Sequence, residues 1–165
     1  MILFFLMEHL FPMEVKRANW NYYEPRTLHD SSLSLSTHCV LAADMGDDAM
    51  AYKLFKEATE IDLGPNMKTS DDGIHTASIG GIWQCTVFGF GGVRMIDGKL
   101  RIEPKLPENW QSLKYTLYWH GQKLAVTVTK QQFTVVNETG AKAVEIWSNG
   151  KSYMCEDGVT IVFTP

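Results

Sequence analysis

Residues 87–102 read VFGFGGVRMIDGKLRI, and the spacing of the hydrophobic residues changes inside this stretch. Before Gly91-Gly92 the apolar positions recur with the spacing of an α-helix. After the two glycines they alternate with a period of two, which is typical of half-buried strands. The sequence therefore predicts an α+β protein whose helical part covers residues 1–91.

Residues 92–165 carry the strand pattern. About eight short runs rich in Val, Ile, Thr, Tyr and Phe are separated by turn residues. The dipeptides Asp97-Gly98 and Asn149-Gly150 indicate tight hairpins, because both positions of such turns need a positive φ. This pattern predicts a small antiparallel β-sandwich as a second domain.

Three helices are expected between residues 12 and 63, and each is bounded by a residue that favours a helix end. Pro12 can open the first helix, and Gly46 is suited to end the second. Asp47 or Asp48 can cap the third, which reads AMAYKLFKEATEIDL. The predicted ranges are residues 12–24, 35–45 and 49–63. Two helices joined by a short turn form a helical hairpin, the unit of helical barrels.

The first eleven residues, MILFFLMEHLF, are apolar apart from Glu8 and His9. They lack the positively charged leader and the cleavage site of a secretory signal. They are also too short to span a bilayer, which takes about 20 apolar residues. A helix that is apolar on nearly every side must be buried on nearly every side. We therefore expect Met1 to lie inside a helix of a longer parent protein.

Composition excludes several classes of function. The formal net charge of −4 and the scattered basic residues argue against a nucleic-acid or anionic membrane surface. The three cysteines, Cys39, Cys85 and Cys155, show no metal-finger spacing, so we expect them to be reduced and buried in a cytoplasmic protein. His29 and His38 have no zinc-site spacing either, and no metal is expected.

The segment DDGIHTASIGGIWQ, residues 71–84, carries the densest chemical signal. Capping residues precede it and predict a helix that starts near Gly73, whose first-turn N–H groups could bind an anion. His75 and Ser78 would then share one helical face. An alternative interpretation is purely structural, with the histidine a hydrogen-bonded core residue.

Gly80 and Gly81 lie inside this predicted helix. Each costs about 1 kcal/mol of helix stability relative to alanine. Such residues are tolerated where a ligand or another helix approaches the backbone closely, and the sequence leaves both explanations open.

A second polar segment, YYEPRTLHDSSLS, occupies residues 22–34 between two apolar helices. Loops of this kind often carry binding groups. The alternative is a capping loop in which Asp30, Ser31 or Ser32 satisfies the start of the next helix. Both interpretations can hold together.

Some aromatic residues of the β-domain could stack on sugars, but aromatic residues in sandwich strands more often belong to the core. These residues are Trp110, Tyr118 and Trp119. The chain carries no nucleophile elbow, P-loop or dinucleotide fingerprint.

Three stretches together resemble the C-terminal third of family 65 glycoside hydrolases, the inverting disaccharide phosphorylases of the maltose, trehalose and kojibiose phosphorylase type. They are NWNYYEPRTLHDSSLS (residues 19–34), GIHTASIGGIWQCTVFGFGGVR (73–94) and LRIEPKLPENWQSL (100–113). The resemblance runs to about Val128 and weakens in the last strands. It implies that residues 1–91 are the last helical hairpins of an (α/α)6 barrel and that residues 92–165 form the closing β-domain.

The resemblance also implies a mechanism. A glutamic acid protonates the glycosidic oxygen while inorganic phosphate, the co-substrate, attacks the anomeric carbon from the opposite face. An inverting hydrolase needs a second carboxylate to activate water, whereas a phosphorylase does not. By similarity, His75, Ser31 and Ser32 bind phosphate, with Ser78 and the Gly80 backbone as weaker candidates.

We therefore expect a parent enzyme that converts an α-glucosidic disaccharide such as maltose to glucose and glucose 1-phosphate, without a cofactor. The family's catalytic glutamic acid lies upstream of these motifs, and no matching segment occurs here, nor does the Lys-Gln pair that accompanies it. Glu8, Glu24, Asp71 and Asp72 are not expected to replace that acid, and Glu24 is given a structural role. The chain alone should be inactive.

Two alternatives remain: a hydrolase of the same family, trehalase-like or an α-glucosidase, and a non-catalytic carbohydrate-binding module in the β part. Part of a barrel also leaves its inward faces uncovered, so self-association or a homo-oligomer is expected.

Overall fold

The computed structural model describes residues 1–63, 73–139 and 142–164. The chain forms two compact units, Met1–Phe90 and Gly91–Pro165. The boundary that the sequence places between residues 91 and 92 lies one residue from this division. Thr69–Asp72, which we expect to cap a helix, lie outside the described residues.

The first unit is helical. Its described helices are α1 (Ile2–Leu6), α2 (Met13–Tyr23), α3 (Ser34–Asp44), α4 (Asp48–Thr59) and α5 (Thr76–Gln84). Short 3-10 turns at Glu8–Leu10 and Glu24–Arg26 follow α1 and α2, and a π-helical turn, Cys85–Phe90, continues α5.

Helix α3 forms the centre of this unit, because its sequence is apolar or small on nearly every side. Eight of its eleven residues are buried, including Val40, Leu41 and Ala42. Helices α1, α4 and α5 pack against it. The predicted hairpin between α3 and α4 is present: Gly46 has φ +75°, and the Asp47 side chain accepts a hydrogen bond from Met50 N at 3.1 Å.

Two predicted helix ends are wrong, and both errors concern the candidate site. Helix α4 ends at Thr59, where the Glu60 N–H is shared among the last carbonyls of the helix, so Asp62 lies in a turn. Helix α5 starts at Thr76 and not near Gly73, because Gly73 has φ +146° and His75 has ψ 80°, both outside the helical region.

The N-terminal helix is only partly buried within this chain, in line with the expectation that part of a barrel leaves apolar faces uncovered. Helix α1 has five residues, and Phe4 is its buried residue, whereas Ile2, Leu3 and Leu6 are each about half exposed or more. Within the helical unit, α3 is the helix on which α1 packs.

The second unit contains two four-stranded sheets. The strands are β1 (Val93–Ile96), β2 (Lys99–Ile102), β3 (Ser112–Trp119), β4 (Gln122–Thr129), β5 (Phe133–Asn137), β6 (Val144–Ser148), β7 (Lys151–Cys155) and β8 (Thr160–Phe163). One sheet has the order β1-β2-β6-β7 and the other has the order β3-β4-β5-β8. Strand β4 alternates between buried and half-buried residues, as the period of two predicts.

The pairing is antiparallel apart from β2 and β6, which are parallel and align Leu100 with Ile146. The purely antiparallel expectation is wrong at this pair. Strands β3, β4 and β5 of the other sheet lie between β2 and β6 in the sequence. Only strands joined by a short hairpin are obliged to run antiparallel, so this long connection permits a parallel pair.

The predicted hairpins are confirmed by their backbone angles. Asp97 and Gly98 have φ of 50° and 72°, and Asn149 and Gly150 have φ of 50° and 73°. His120 and Gly121 form a third turn of this kind, with φ of 48° and 78°. These pairs give the primed turns whose twist matches that of the flanking strands.

The three cysteines are buried and unpaired, as the sequence predicts. The aromatic residues of the β-domain depart from expectation: Tyr118 is 71% exposed, and Trp110 and Trp119 are only half-buried. None of the helices in the described part of the chain combines the length and hydropathy that crossing a bilayer would require.

Candidate functional site

Asp62 and His75 form a close pair at the start of α5. Asp62 Oδ1 lies 2.6 Å from His75 Nδ1, and Asp62 Oδ2 accepts a hydrogen bond from the His75 backbone N–H at 3.1 Å. The hydrogen bond from the His75 side chain is the main reason that the pKa of Asp62 is below its usual value. One carboxylate therefore holds both the ring and the backbone of His75.

This contact decides which ring nitrogen of His75 is available to a ligand. Because Nδ1 faces Asp62, Nε2 is the nitrogen left for another partner, and the side chain is 40% exposed. His75 is also the N-cap residue of α5, so it lies at the positive end of the helix dipole. The N–H groups of Thr76 and Ser78 already donate to Ile74 O and His75 O. A ring held in this way can present a hydrogen-bond donor next to a partial positive charge.

Sequence reasoning missed Asp62. The helical pattern of AMAYKLFKEATEIDL includes it, and nothing local relates it to a histidine thirteen residues later. The available signal was Gly64-Pro65, two helix-breaking residues that follow almost directly and predict a helix end close to Asp62.

Ser78 does not occupy the position that the sequence predicts. The expectation that His75 and Ser78 share a helical face is wrong, because His75 precedes the helix. Ser78 is 2% exposed, and its Oγ is buried without a hydrogen-bond partner in the described part of the chain. Its backbone N–H donates to His75 O at 2.9 Å, so it still belongs to the first turn.

The two glycines of α5 have different surroundings. A Cβ added to Gly81 would lie 2.4 Å from Ser36 Oγ and 2.8 Å from Ser36 Cβ, so Gly81 allows α5 to pack closely on α3. A Cβ added to Gly80 would meet nothing within 4 Å. Helix packing therefore explains Gly81, and Gly80 remains available to a ligand.

We expect Gly81→Ala to destabilise the helical unit by about 1–3 kcal/mol, the usual cost of overpacking. Gly80→Ala should stabilise it by up to about 1 kcal/mol, because alanine is the better helix former. Urea unfolding of the two variants and the wild-type chain measures both effects. Equal effects of the two substitutions would contradict the packing explanation.

The loop between α2 and α3 brings together a carboxylate and two histidines. Glu24 Oε1 lies 3.2 Å from His29 Nε2, and Glu24 Oε2 is hydrogen-bonded to His38 Nδ1. The two imidazole rings meet edge to face, with their centroids 4.8 Å apart. Burial is the main cause that lowers the pKa of His38, and the hydrogen bond with Glu24 partly opposes it.

These three residue types could ligate a metal ion, and their ligand atoms lie within 4.8 Å of one another. The sequence did not predict this cluster, since the spacing of the two histidines matches no zinc motif. In the structure each oxygen of Glu24 already accepts a hydrogen bond from a ring nitrogen. The cluster is therefore complete as a hydrogen-bonded network.

Ser31 and Ser32 do not cap α3. The N-cap of this helix is Leu33, and no side chain caps it. Ser31 Oγ accepts a hydrogen bond from Leu33 N at 3.3 Å, and Ser32 makes no hydrogen bond with other described residues. The capping interpretation of this loop is therefore wrong, which leaves its hydroxyl groups available for binding.

Ser31 opens onto a cleft of about 420 Å³. Most of its lining side chains are polar or aromatic, and they include Tyr23, Thr27, Ser34, Thr37 and His38. His75 does not line this cleft. The sequence-predicted phosphate residues thus lie in two places of one unit. Ser31 and Ser32 lie in the loop before α3, whereas His75 precedes α5, which contains Ser78 and Gly80. Helices α3 and α5 pack on each other.

Comparison with known proteins agrees with the three sequence motifs. Residues 1–84 match the glycosyl hydrolase family 65 central catalytic domain, and residues 93–154 match the family's C-terminal domain. A kojibiose phosphorylase of Halothermothrix orenii is 42% identical over 98% of this chain and 21% of its own length. An alpha,alpha-trehalose phosphorylase of Thermoanaerobacter brockii is 36% identical over 96% of this chain and 20% of its own length.

A solved structure described, provisionally, as a kojibiose phosphorylase from the human microbiome superposes with a TM-score of 0.91. It is 32% identical, and the match covers 99% of this chain and 22% of that one. The chain thus spans about a fifth of the length of the curated relatives that it matches.

Proposed function

This chain belongs to glycosyl hydrolase family 65, and from that premise we propose that it supplies the phosphate-binding part of the active site of an inverting disaccharide phosphorylase. The reaction is phosphorolysis of an α-glucosidic disaccharide. Kojibiose and trehalose are the first substrates to test, since the similar proteins named above carry these names. Maltose, which shares the α-glucosidic bond, is the third.

The Asp62–His75 pair is the observation that carries the proposal. With Nδ1 held by a carboxylate, Nε2 of His75 can donate a hydrogen bond to a phosphate oxygen when the ring is protonated, and Asp62 balances the added charge. The start of α5, a nine-residue helix, adds the positive end of the helix dipole at the same place. Ser31 and Ser32 add hydroxyl groups, with Ser78 and the Gly80 backbone as weaker candidates.

The proposed step needs no carboxylate base in this part of the protein. A phosphate oxygen attacks the anomeric carbon as the bond to the glycosidic oxygen breaks, and the departing sugar takes a proton from a general acid. Inversion at an α-linked carbon gives glucose and β-glucose 1-phosphate. Hydrogen-bond donors around phosphate orient the nucleophile and reduce the repulsion between its charges.

We assign the general acid to a segment of the family 65 catalytic domain that these 165 residues do not include. Glu24 is unsuited to the role, because both of its oxygens are engaged by histidines. The isolated chain should therefore turn over no disaccharide, whereas the full-length protein that contains it should do so.

The test uses that full-length protein with kojibiose, trehalose and maltose, each with and without inorganic phosphate. We expect glucose and glucose 1-phosphate in equal amounts, and only when phosphate is present. Equal release of glucose without phosphate, and no sugar phosphate, would show a hydrolase and overturn the proposal.

Asp62→Asn should weaken the use of phosphate, because the amide removes the charge that holds the imidazole. Loss of an outer partner that fixes a histidine costs about 10- to 100-fold at metal sites, and we expect the same order in kcat/KM for phosphate. The pKa of Asp62 is below its usual value, so this charge persists on acidification and is lost only when the pH falls through that lowered pKa.

Glu60→Gln is the matched control for this prediction, because it removes the same charge from the same turn without touching His75. It should leave kcat/KM for phosphate unchanged. If both variants lose activity equally, the general charge of the turn and not the contact with His75 is responsible.

A further inference from the structure

The network around Glu24 joins three parts of the helical unit through one carboxylate. Glu24 is the C-cap residue of α2, His29 lies in the loop, and His38 lies inside α3. The side chains of Glu24, His29 and His38 are 12%, 17% and 5% exposed. A carboxylate with so little contact with water is stabilised only where donors satisfy its oxygens, and here the two histidines do so.

His38 has a fixed role in this network. Burial lowers its pKa, so the ring is neutral at neutral pH and carries a single N–H. That hydrogen lies on Nδ1, because Nδ1 faces the carboxylate. Trp20 packs against the same ring, with the centroids 5.6 Å apart, and keeps it in place.

His29 connects Glu24 to the serine-containing segment of residues 31–34. Its Nε2 faces Glu24, and its Nδ1 lies 2.9 Å from Ser34 Oγ. Ser34 Oγ in turn lies 3.3 Å from Ser31 O, the carbonyl of a predicted phosphate residue. His29 adopts φ +54°, a left-handed conformation that is uncommon for a residue other than glycine.

We propose that Glu24 is a positioning residue of the phosphate site, which fixes the Ser31 segment through His29 and Ser34. The inference rests on the proposed function for the role of Ser31. It explains why a carboxylate lies in this part of the site without acting as acid or base: both of its oxygens hold imidazoles, and one of those imidazoles holds the serine hydroxyl that contacts the Ser31 backbone.

The first test is Ser34→Ala in the full-length protein, which removes one hydroxyl from the network and leaves Glu24 and both histidines in place. We expect the KM for phosphate to rise about tenfold, which is the order of effect of losing one hydrogen bond. The kcat at saturating phosphate and the KM for the disaccharide should remain as in the wild type. A structural defect would instead lower kcat and raise the KM for the disaccharide as well.

Thr86→Ala is the matched control, because it removes a hydroxyl that donates to Ile82 O and lies outside both the cleft and the network. It should leave the KM for phosphate unchanged. Glu24→Gln should have a larger effect than Ser34→Ala, since its amide group places a donor against one of the two histidine N–H groups. Titration of inorganic phosphate by calorimetry gives a second measurement that does not depend on turnover.

The outcomes separate the two proposals. If the wild type does not bind phosphate, both the proposed function and this inference fail. If the wild type binds phosphate and Ser34→Ala and Glu24→Gln bind it equally well, only the positioning role fails. If the purified protein holds one zinc ion per chain, and its removal by a chelator reproduces the effect of Glu24→Gln, the cluster is a metal site and the hydrogen-bonded role is overturned.

Discussion

Replacing His75 with alanine in the full-length protein is expected to raise the phosphate concentration for half-maximal phosphorolysis about 100-fold, because a hydrogen bond to a charged group contributes about 1.5–3 kcal/mol. The reason lies in the geometry of the pair. Asp62 directs Nε2 of His75 away from itself, so alanine removes the ring nitrogen that would face the phosphate. Initial rates measured against phosphate at fixed disaccharide give the value.

His9→Ala is the control for this experiment, because His9 is an exposed histidine of the same unit. It should leave the phosphate dependence unchanged. Asp62→Asn added to His75→Ala should cost little more than His75→Ala alone, since Asp62 acts through the imidazole. An unchanged phosphate requirement in His75→Ala would remove this histidine from the site.

Much of the fold could be predicted because its signals are local. The turn at Asp97-Gly98 depends on two adjacent residues, and the cap at Asp47 depends on a residue three positions later. The parallel pairing of β2 with β6 has no such signal, because it joins segments more than forty residues apart. Local sequence patterns specify a strand and its turn better than they specify a distant neighbour.

The candidate site shows the same limit. The motif around His75 could be recognised from its residue types, but its partner Asp62 could not, since the helical pattern of α4 continues through it. The sequence places Glu24 in the polar segment of residues 22–34 and predicts a structural role for it. Its hydrogen bond to His38 joins residues fourteen positions apart, and no spacing in the sequence predicts that contact.

The structure gives the two adjacent glycines, Gly80 and Gly81, different explanations. The sequence offers two explanations for adjacent glycines, a ligand and a neighbouring helix. The contact with Ser36 assigns Gly81 to helix packing, while the open space at Gly80 leaves room for a ligand. The same residue type thus serves two purposes at neighbouring positions, which residue identity alone cannot distinguish.

Gly92→Ala is expected to destabilise the β unit by about 2–5 kcal/mol, a large part of the stability of an ordinary domain. Gly92 has φ +64°, and an added Cβ would lie 1.9 Å from Glu103 O and 2.2 Å from Glu103 C. These are backbone atoms, so no side-chain rotation relieves the overlap. The Glu103 N–H also donates to Gly92 O at 3.1 Å, so the two segments cannot separate without breaking a hydrogen bond.

Gly98→Ala separates the two causes of this loss. Gly98 also has a positive φ, of +72°, but an added Cβ there would meet nothing within 4 Å. It should therefore cost only the left-handed conformation, about 1–2 kcal/mol. Amide hydrogen exchange over residues 93–139 and 142–163 measures both variants against the wild type. A similar loss of stability in Gly92→Ala and Gly98→Ala would mean that the positive φ is the main cost. The close approach of Gly92 to Glu103 would then contribute little to the stability of the β unit.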